Sequence, residues 1–256
     1  MFSRLGLRAG LIPLALAALV SATPASAFTD EEKKELGPVI REYLLQNPEV
    51  LQEAIAVLEA RHNEAEAKSR NQALSQIKPL LESPRGVVVG NPKGDVTLVE
   101  FFDYNCGYCK RALSDLQELI KEDPNLKVVL REFPVLGPGS VEAAQVAVAV
   151  RMVAPEKYMD FHQALLNGRG QADRAKALAA AKQVGIDPAL LQKQATSPEL
   201  NATLDESMKI AEALSLNGTP SYVVGDEVVV GAVGFDKLKA AVAATRANAK
   251  GAAGAK

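Results

Sequence analysis

The chain's two cysteines, Cys106 and Cys109, both stand where an apolar, β-branched run hands over to a helical pattern. Val96 to Phe102 reads as a buried strand. From Cys106 to about Glu122, Leu113, Leu116, Leu119 and Ile120 recur at helical spacing, and Leu126 to Phe133 is the next strand. Such strand–helix–strand alternation calls for an α/β fold with a central sheet. It also places the Cys106 sulfur at a helix N-terminus, where free N–H groups and the helix dipole favour a negative sulfur. Cys109 lies one turn further in, on the same side. A disulfide across so short a loop constrains the unfolded chain little, so a pair made to open and close explains the spacing better than a staple. Cys106 is expected to attack as the nucleophile and Cys109 to resolve the mixed disulfide.

Other uses of the motif find little support. Structural zinc needs four ligands, and the two histidines, His62 and His162, have no partner at ligand spacing. No metal or other cofactor is expected. Copper(I) held by the two thiolates is chemically reasonable, because soft metals favour sulfur, and stays open as an alternative. A formal net charge of −2, with no tryptophan and 5% aromatic residues, leaves no basic patch or stacking platform for nucleic acid.

Residues 1–27 have the features of a secretory leader. Arg4 and Arg8 give a positive start, Leu11 to Val20 an apolar run, and Ala25-Ser26-Ala27 a small-residue cleavage site. The mature protein is expected to be exported. Residues 28–85 read as a helical arm and linker. Leu36, Val39, Ile40, Tyr43 and Leu44 mark one helix, and Asn47-Pro48-Glu49 a stop and restart in which Asn47 caps the second. Val50, Leu51, Ala54, Ile55 and Leu58 form the second stripe. Glu59 to Gln72 is almost free of apolar residues before Leu74, Ile77, Leu80 and Leu81 resume the pattern. Two short helices make little core of their own, so the stripe is expected to be covered by self-association.

Residues 86–248 form the second domain. Beyond Pro220, Val223-Val224 and Val228 to Val230 are expected to make a hairpin around Gly225-Asp226. Phe235 to about Ala247 should be a closing helix, and the Ala/Gly/Lys-rich residues 249–256 a disordered tail. Glu100 interrupts the apolar strand before the cysteines. An unpaired carboxylate is costly to bury, and desolvation favours its neutral form, suiting it to exchange a proton with Cys109.

The segment Val99-Glu100-Phe101-Phe102-Asp103-Tyr104-Asn105-Cys106-Gly107-Tyr108-Cys109 resembles the active-site segment of the DsbA-like thioredoxin-fold proteins. Gly218-Thr219-Pro220-Ser221-Tyr222 resembles their cis-proline loop, and the helical stretch of about 138–216 resembles the insertion they carry. Tyr43 to Glu49 is similar to the oligomerising arm of the suppressor-of-copper-sensitivity C group. The resemblance implies a thioredoxin fold with a helical insertion, preceded by an α-helical arm. It implies that Cys106 and Cys109 form the redox pair, that Glu100 is the buried acid, and that Thr219 and a cis Pro220 bind substrate peptide beside Gly107 and Tyr108. Implied partners are misfolded or cysteine-containing exported proteins and a membrane redox protein, in the periplasm. Gly107-Tyr108, the threonine before Pro220 and the arm lean towards a disulfide isomerase or reductase over a disulfide-donating oxidase.

Overall fold

The computed structural model describes residues 29–254; the expected leader, 1–27, lies outside them. The chain divides into two compact units between Ala60 and Arg61.

In the first unit, α1 (Asp30–Gln46) opens on Thr29. The Thr29 hydroxyl accepts the Glu32 N–H while the Glu32 carboxylate accepts the Thr29 N–H, a reciprocal capping box. No residue of α1 is buried, and Val39, Ile40, Tyr43 and Leu45 are more than half exposed. The restart at Asn47 differs from expectation. Asn47 ends α1 rather than capping the next helix, since its N–H and its side-chain amide both donate to the Tyr43 carbonyl. The long helix α2 (Glu49–Leu81) begins after Pro48 and crosses the division between the units. Its Leu51, Ile55, Val57 and Leu58 are also exposed.

The second unit is built on a five-stranded sheet of β1 (Val87–Gly90), β2 (Val96–Phe102), β3 (Leu126–Glu132), β4 (Ser221–Val224) and β5 (Glu227–Val230), in the order β1-β3-β2-β4-β5. β2 and β3 are parallel, joined by α3 (Gly107–Glu122); the other pairs are antiparallel. Alternation along β2 sends Leu98, Glu100 and Phe102 to one face and Val99 and Phe101 to the other. The first face is covered by Leu113, Leu116 and Leu119 of α3 and by the insertion, which runs from α4 (Pro138–Val153) through α5 (Tyr158–Leu166), α6 (Arg174–Gln183) and α7 (Pro188–Lys193). Small residues on α4 and α6, among them Ala143, Ala147, Ala177 and Ala181, let those helices approach closely. The second face is covered by α8 (Pro198–Ala213) and by Leu74 and Leu81 of α2.

That packing corrects the expected boundary at residue 86. Leu74 and Leu81 belong to the core of the second unit. Arg131, fully buried on β3, caps the C-terminal end of α2 by donating to the carbonyls of Leu80 and Leu81. It also pairs with Glu206 of α8 at 2.7 Å. The tail is a second correction: α9 runs from Phe235 to Gly254, well past Ala247. Alanine is the strongest helix former, and the alanines of this stretch outweigh its glycines.

Candidate active site

β2 ends at Phe102, and the turn Asp103-Tyr104-Asn105 delivers Cys106 to the N-cap of α3. The Cys106 N–H donates to the Asp103 carbonyl at 3.0 Å, closing that turn. Its thiol donates to the Thr219 carbonyl at 3.1 Å. Thr219 precedes a cis peptide bond to Pro220. The Ser221 hydroxyl donates to the Gly218 carbonyl at 2.7 Å, and the Gly231 N–H to the Pro220 carbonyl, so β4 and β5 hold this loop against the cysteines. A Cβ added at Gly107 or Gly218 would meet nothing within 4 Å, so both glycines border open space beside the nucleophile. Tyr108 is exposed, with the Arg111 guanidinium 4.3 Å from its ring centre.

Cys109 sits deeper, 1% exposed. Burial raises its thiol well above the ordinary range, and the nearby Glu100 and Cys106 charges act in the same direction. Hydrogen bonds with the Asp103 backbone and the Thr219 side chain pull the other way. Thr219 meets the pair at Cys106, through its carbonyl.

Glu100 is fully desolvated on the same face, and burial pushes its carboxyl up to about 8. Its one opposing partner is the Tyr222 hydroxyl, which faces it across the β2–β4 register. A carboxyl held near neutrality beside a thiol that must lose its proton is placed to take that proton.

The structure thus brings Cys106, Cys109, Glu100, Thr219 and Pro220 together, with Gly107 and Tyr108 at the rim. Sequence reasoning missed Tyr222, whose place opposite Glu100 depends on strand register, and passed over Asp103 and Asn105 as a connecting turn. It also missed a second buried acid. Glu132, at the end of β3, is pushed up to about 8 by burial and accepts hydrogen bonds from Tyr158 at 2.6 Å and Tyr104 at 3.4 Å. His162, 1% exposed, shares a hydrogen bond with the Tyr104 hydroxyl, and burial lowers it to about 3.

The strand order and a central helix opening on a cysteine are those of the thioredoxin fold, whose members with a cysteine pair at this place are thiol–disulfide oxidoreductases. The DSBA-like thioredoxin domain family matches residues 97–243, and the chain belongs to it. The N-terminal domain of the copper resistance protein ScsC matches residues 32–65.

Solved structures agree. A thioredoxin-like oxidoreductase from Silicibacter pomeroyi is 46% identical, with a TM-score of 0.63 over 65% of this chain and 95% of that one. A linker-deletion mutant of Proteus mirabilis ScsC is 27% identical, with a TM-score of 0.66 over 88% and 99%. The thiol–disulfide exchange protein α-DsbA2 of Wolbachia pipientis is 30% identical, with a TM-score of 0.66 over 70% and 96%. Curated relatives include the Na(+)/H(+) antiporter NhaA 1 of Salinispora arenicola, 26% identical over 172 residues; the chain spans only 26% of that protein's length. Among the described residues no helix is long and apolar enough to cross a membrane.

Proposed function

We propose that this chain is an exported, periplasmic protein disulfide isomerase and reductase. The asymmetry of the pair carries the reading. Cys106 lies at the helix start beside open space, while Cys109 is buried over an acid that can receive its proton. The Cys106 thiolate attacks one sulfur of a substrate disulfide, forms a mixed disulfide and releases the other substrate sulfur as a thiolate. If a substrate thiolate then attacks the mixed disulfide, Cys106 is regenerated and the substrate's pairing has changed with no net oxidation. If Cys109 attacks the Cys106 sulfur instead, its proton passes to Glu100. The substrate leaves as a dithiol, and Cys106 and Cys109 are joined. A membrane redox partner would then return two electrons to the pair.

The Gly107-Tyr108 dipeptide and the threonine before Pro220 favour isomerisation over oxidation. So does the arm, whose exposed stripe suits a homo-oligomer that presents several sites to one misfolded exported protein. The leader at residues 1–27 supports export.

Recovery of activity from scrambled, fully oxidised ribonuclease, with Cys106→Ala as control, tests the proposal. Recovery lost in the control supports it. No recovery from a protein whose pair is reducible would replace it with disulfide donation. Stoichiometric copper(I) binding without turnover would replace it with copper handling.

A further inference from the structure

The three side chains of the turn before Cys106 leave the sheet and end on other parts of the second unit. Asp103 is 1% exposed and accepts four hydrogen bonds. Its Oδ1 takes the Asn105 N–H at 2.7 Å and the Ser140 hydroxyl at 2.8 Å, and its Oδ2 takes the N–H groups of Val135 and Leu136 at 2.8 and 2.9 Å. An ionised carboxylate has about four lone-pair sites, so these partners fill it. Asn105 is matched to the backbone of Ala172. Its Oδ1 accepts the Ala172 N–H at 2.6 Å, and its amide donates to the Ala172 carbonyl at 3.0 Å and to Ser140 Oγ at 2.9 Å. Tyr104 reaches Glu132 and His162.

The direction of every bond to the Asp103 carboxylate is set. Ser140 Oγ receives the Asn105 amide, so its own proton goes to Asp103. The other donors to Asp103 are backbone N–H groups, which cannot reverse. An acid is therefore required at position 103, where an amide would turn an NH2 group towards donors. The same residue supplies the backbone carbonyl that accepts the Cys106 N–H at 3.0 Å.

We propose that Asp103 is a positioning residue for the exchange reaction, its carboxylate clasping the Cys106 turn to the 135–140 segment so that the nucleophile stands at the Thr219 carbonyl. Asn105 and Ser140 complete the clasp. The inference rests on the reading of Cys106 as the attacking thiol.

The test is the pH–rate profile of reduced full-length protein reacting with a small aromatic disulfide, for wild type, Asp103→Asn and Ser140→Ala. At the high-pH plateau the thiolate population is saturated, so the rate reports placement together with intrinsic nucleophilicity, and the latter changes only about threefold per unit of thiol pKa. Asp103→Asn should lower the plateau at least about tenfold, in line with the steep cost of misplacing a reacting group. Ser140→Ala, which removes one donor of four, should lower it less, about threefold. A folded Asp103→Asn protein with the wild-type plateau would overturn the proposal and leave Asp103 a stabilising residue only. If Asp103→Asn does not fold, Ser140→Ala decides, and an unchanged plateau there overturns it equally. A wild-type protein whose Cys106 does not react at all would refute the proposed function instead.

Discussion

Replacing Glu100 by glutamine keeps the side chain's size and an acceptor oxygen and removes its ionisation. In the native fold burial holds this carboxyl up to about 8, against 4.5 ordinarily. The folded protein therefore retains a proton that the unfolded chain releases, and stability falls as pH rises through that interval, levelling above about 8. Glu132, also raised to about 8, contributes with the same sign. His162 opposes them, because it is buried neutral and lowered to about 3 from 6.5. Its contribution is full above pH 6.5 and is lost as pH falls below it. From pH 6.5 to 8 the two acids thus act without it. At about 1.36 kcal/mol per pH unit, each is worth about 2 kcal/mol across that window. The wild type should lose roughly 4 kcal/mol between pH 6.5 and 8 and Glu100→Gln roughly half of that. Urea unfolding at four pH values in this range, with the thiols kept reduced by a phosphine, measures the loss. Equal losses in the two proteins would show that burial does not raise the Glu100 carboxyl in the fold and would refute the reasoning.

Cys109→Ser should trap the mixed disulfide, visible on non-reducing gels as a stable covalent adduct after reaction with a peptide disulfide, whose other sulfur leaves as a thiolate, whereas Cys106→Ser should form none. Arg131→Met should cost about 2 kcal/mol in urea unfolding, because it takes from Glu206 the charge it pairs with at 2.7 Å, leaving it Arg85 at 2.9 Å, and uncaps Leu80 and Leu81. Ile40→Asp with Ile55→Asp should convert the protein to a monomer in sedimentation velocity without changing the rate at which Cys106 reacts with a small disulfide. A wild type already monomeric at micromolar concentration would remove the arm's proposed role.

What could be read beforehand was what is local. Cys106 and Cys109 are legible because a strand, a turn and a helix succeed one another within a few residues. Glu100 is legible because a carboxylate inside an apolar strand demands an explanation. Arg131 and Glu132 also interrupt an apolar strand, yet they sit at its end, where charge ordinarily meets water. Their burial depends on Glu206 and Tyr158, remote in sequence and brought up by α8 and α5. Asp103 and Asn105 look like turn residues because they are turn residues, and the partners that give them a further role lie in the insertion. The arm's stripe was plain from spacing, but the division of α2 was not. Nothing in the pattern Leu74, Ile77, Leu80, Leu81 distinguishes a stripe that covers a sheet from one that continues the arm.

Glu100 and Glu132 show why burial alone does not define a catalytic acid. They lie on the same face of the parallel β2–β3 pair, Glu132 in register with Phe102, two residues beyond Glu100. Both are desolvated and both are raised to about 8. A buried acid can move a proton in a reaction only if a neighbour's proton affinity changes during the cycle. Glu100 has such a neighbour, since Cys109 is a thiol in one half of the cycle and part of a disulfide in the other. Around Glu132 stand Tyr104 and Tyr158, both raised by burial, and His162, lowered by it. Of the charged side chains, Asp103 and Arg151 act on it, and neither cysteine is among the main groups that do. Glu132→Gln should therefore flatten the stability profile as Glu100→Gln does, yet leave the pH dependence of the Cys109 resolving step unchanged. Glu100→Gln should slow that step about a hundredfold, as loss of a general base does. Rapid-mixing measurement of substrate release from the mixed disulfide separates the two, and equal slowing in both variants would refute the assignment of Glu100 as the proton acceptor.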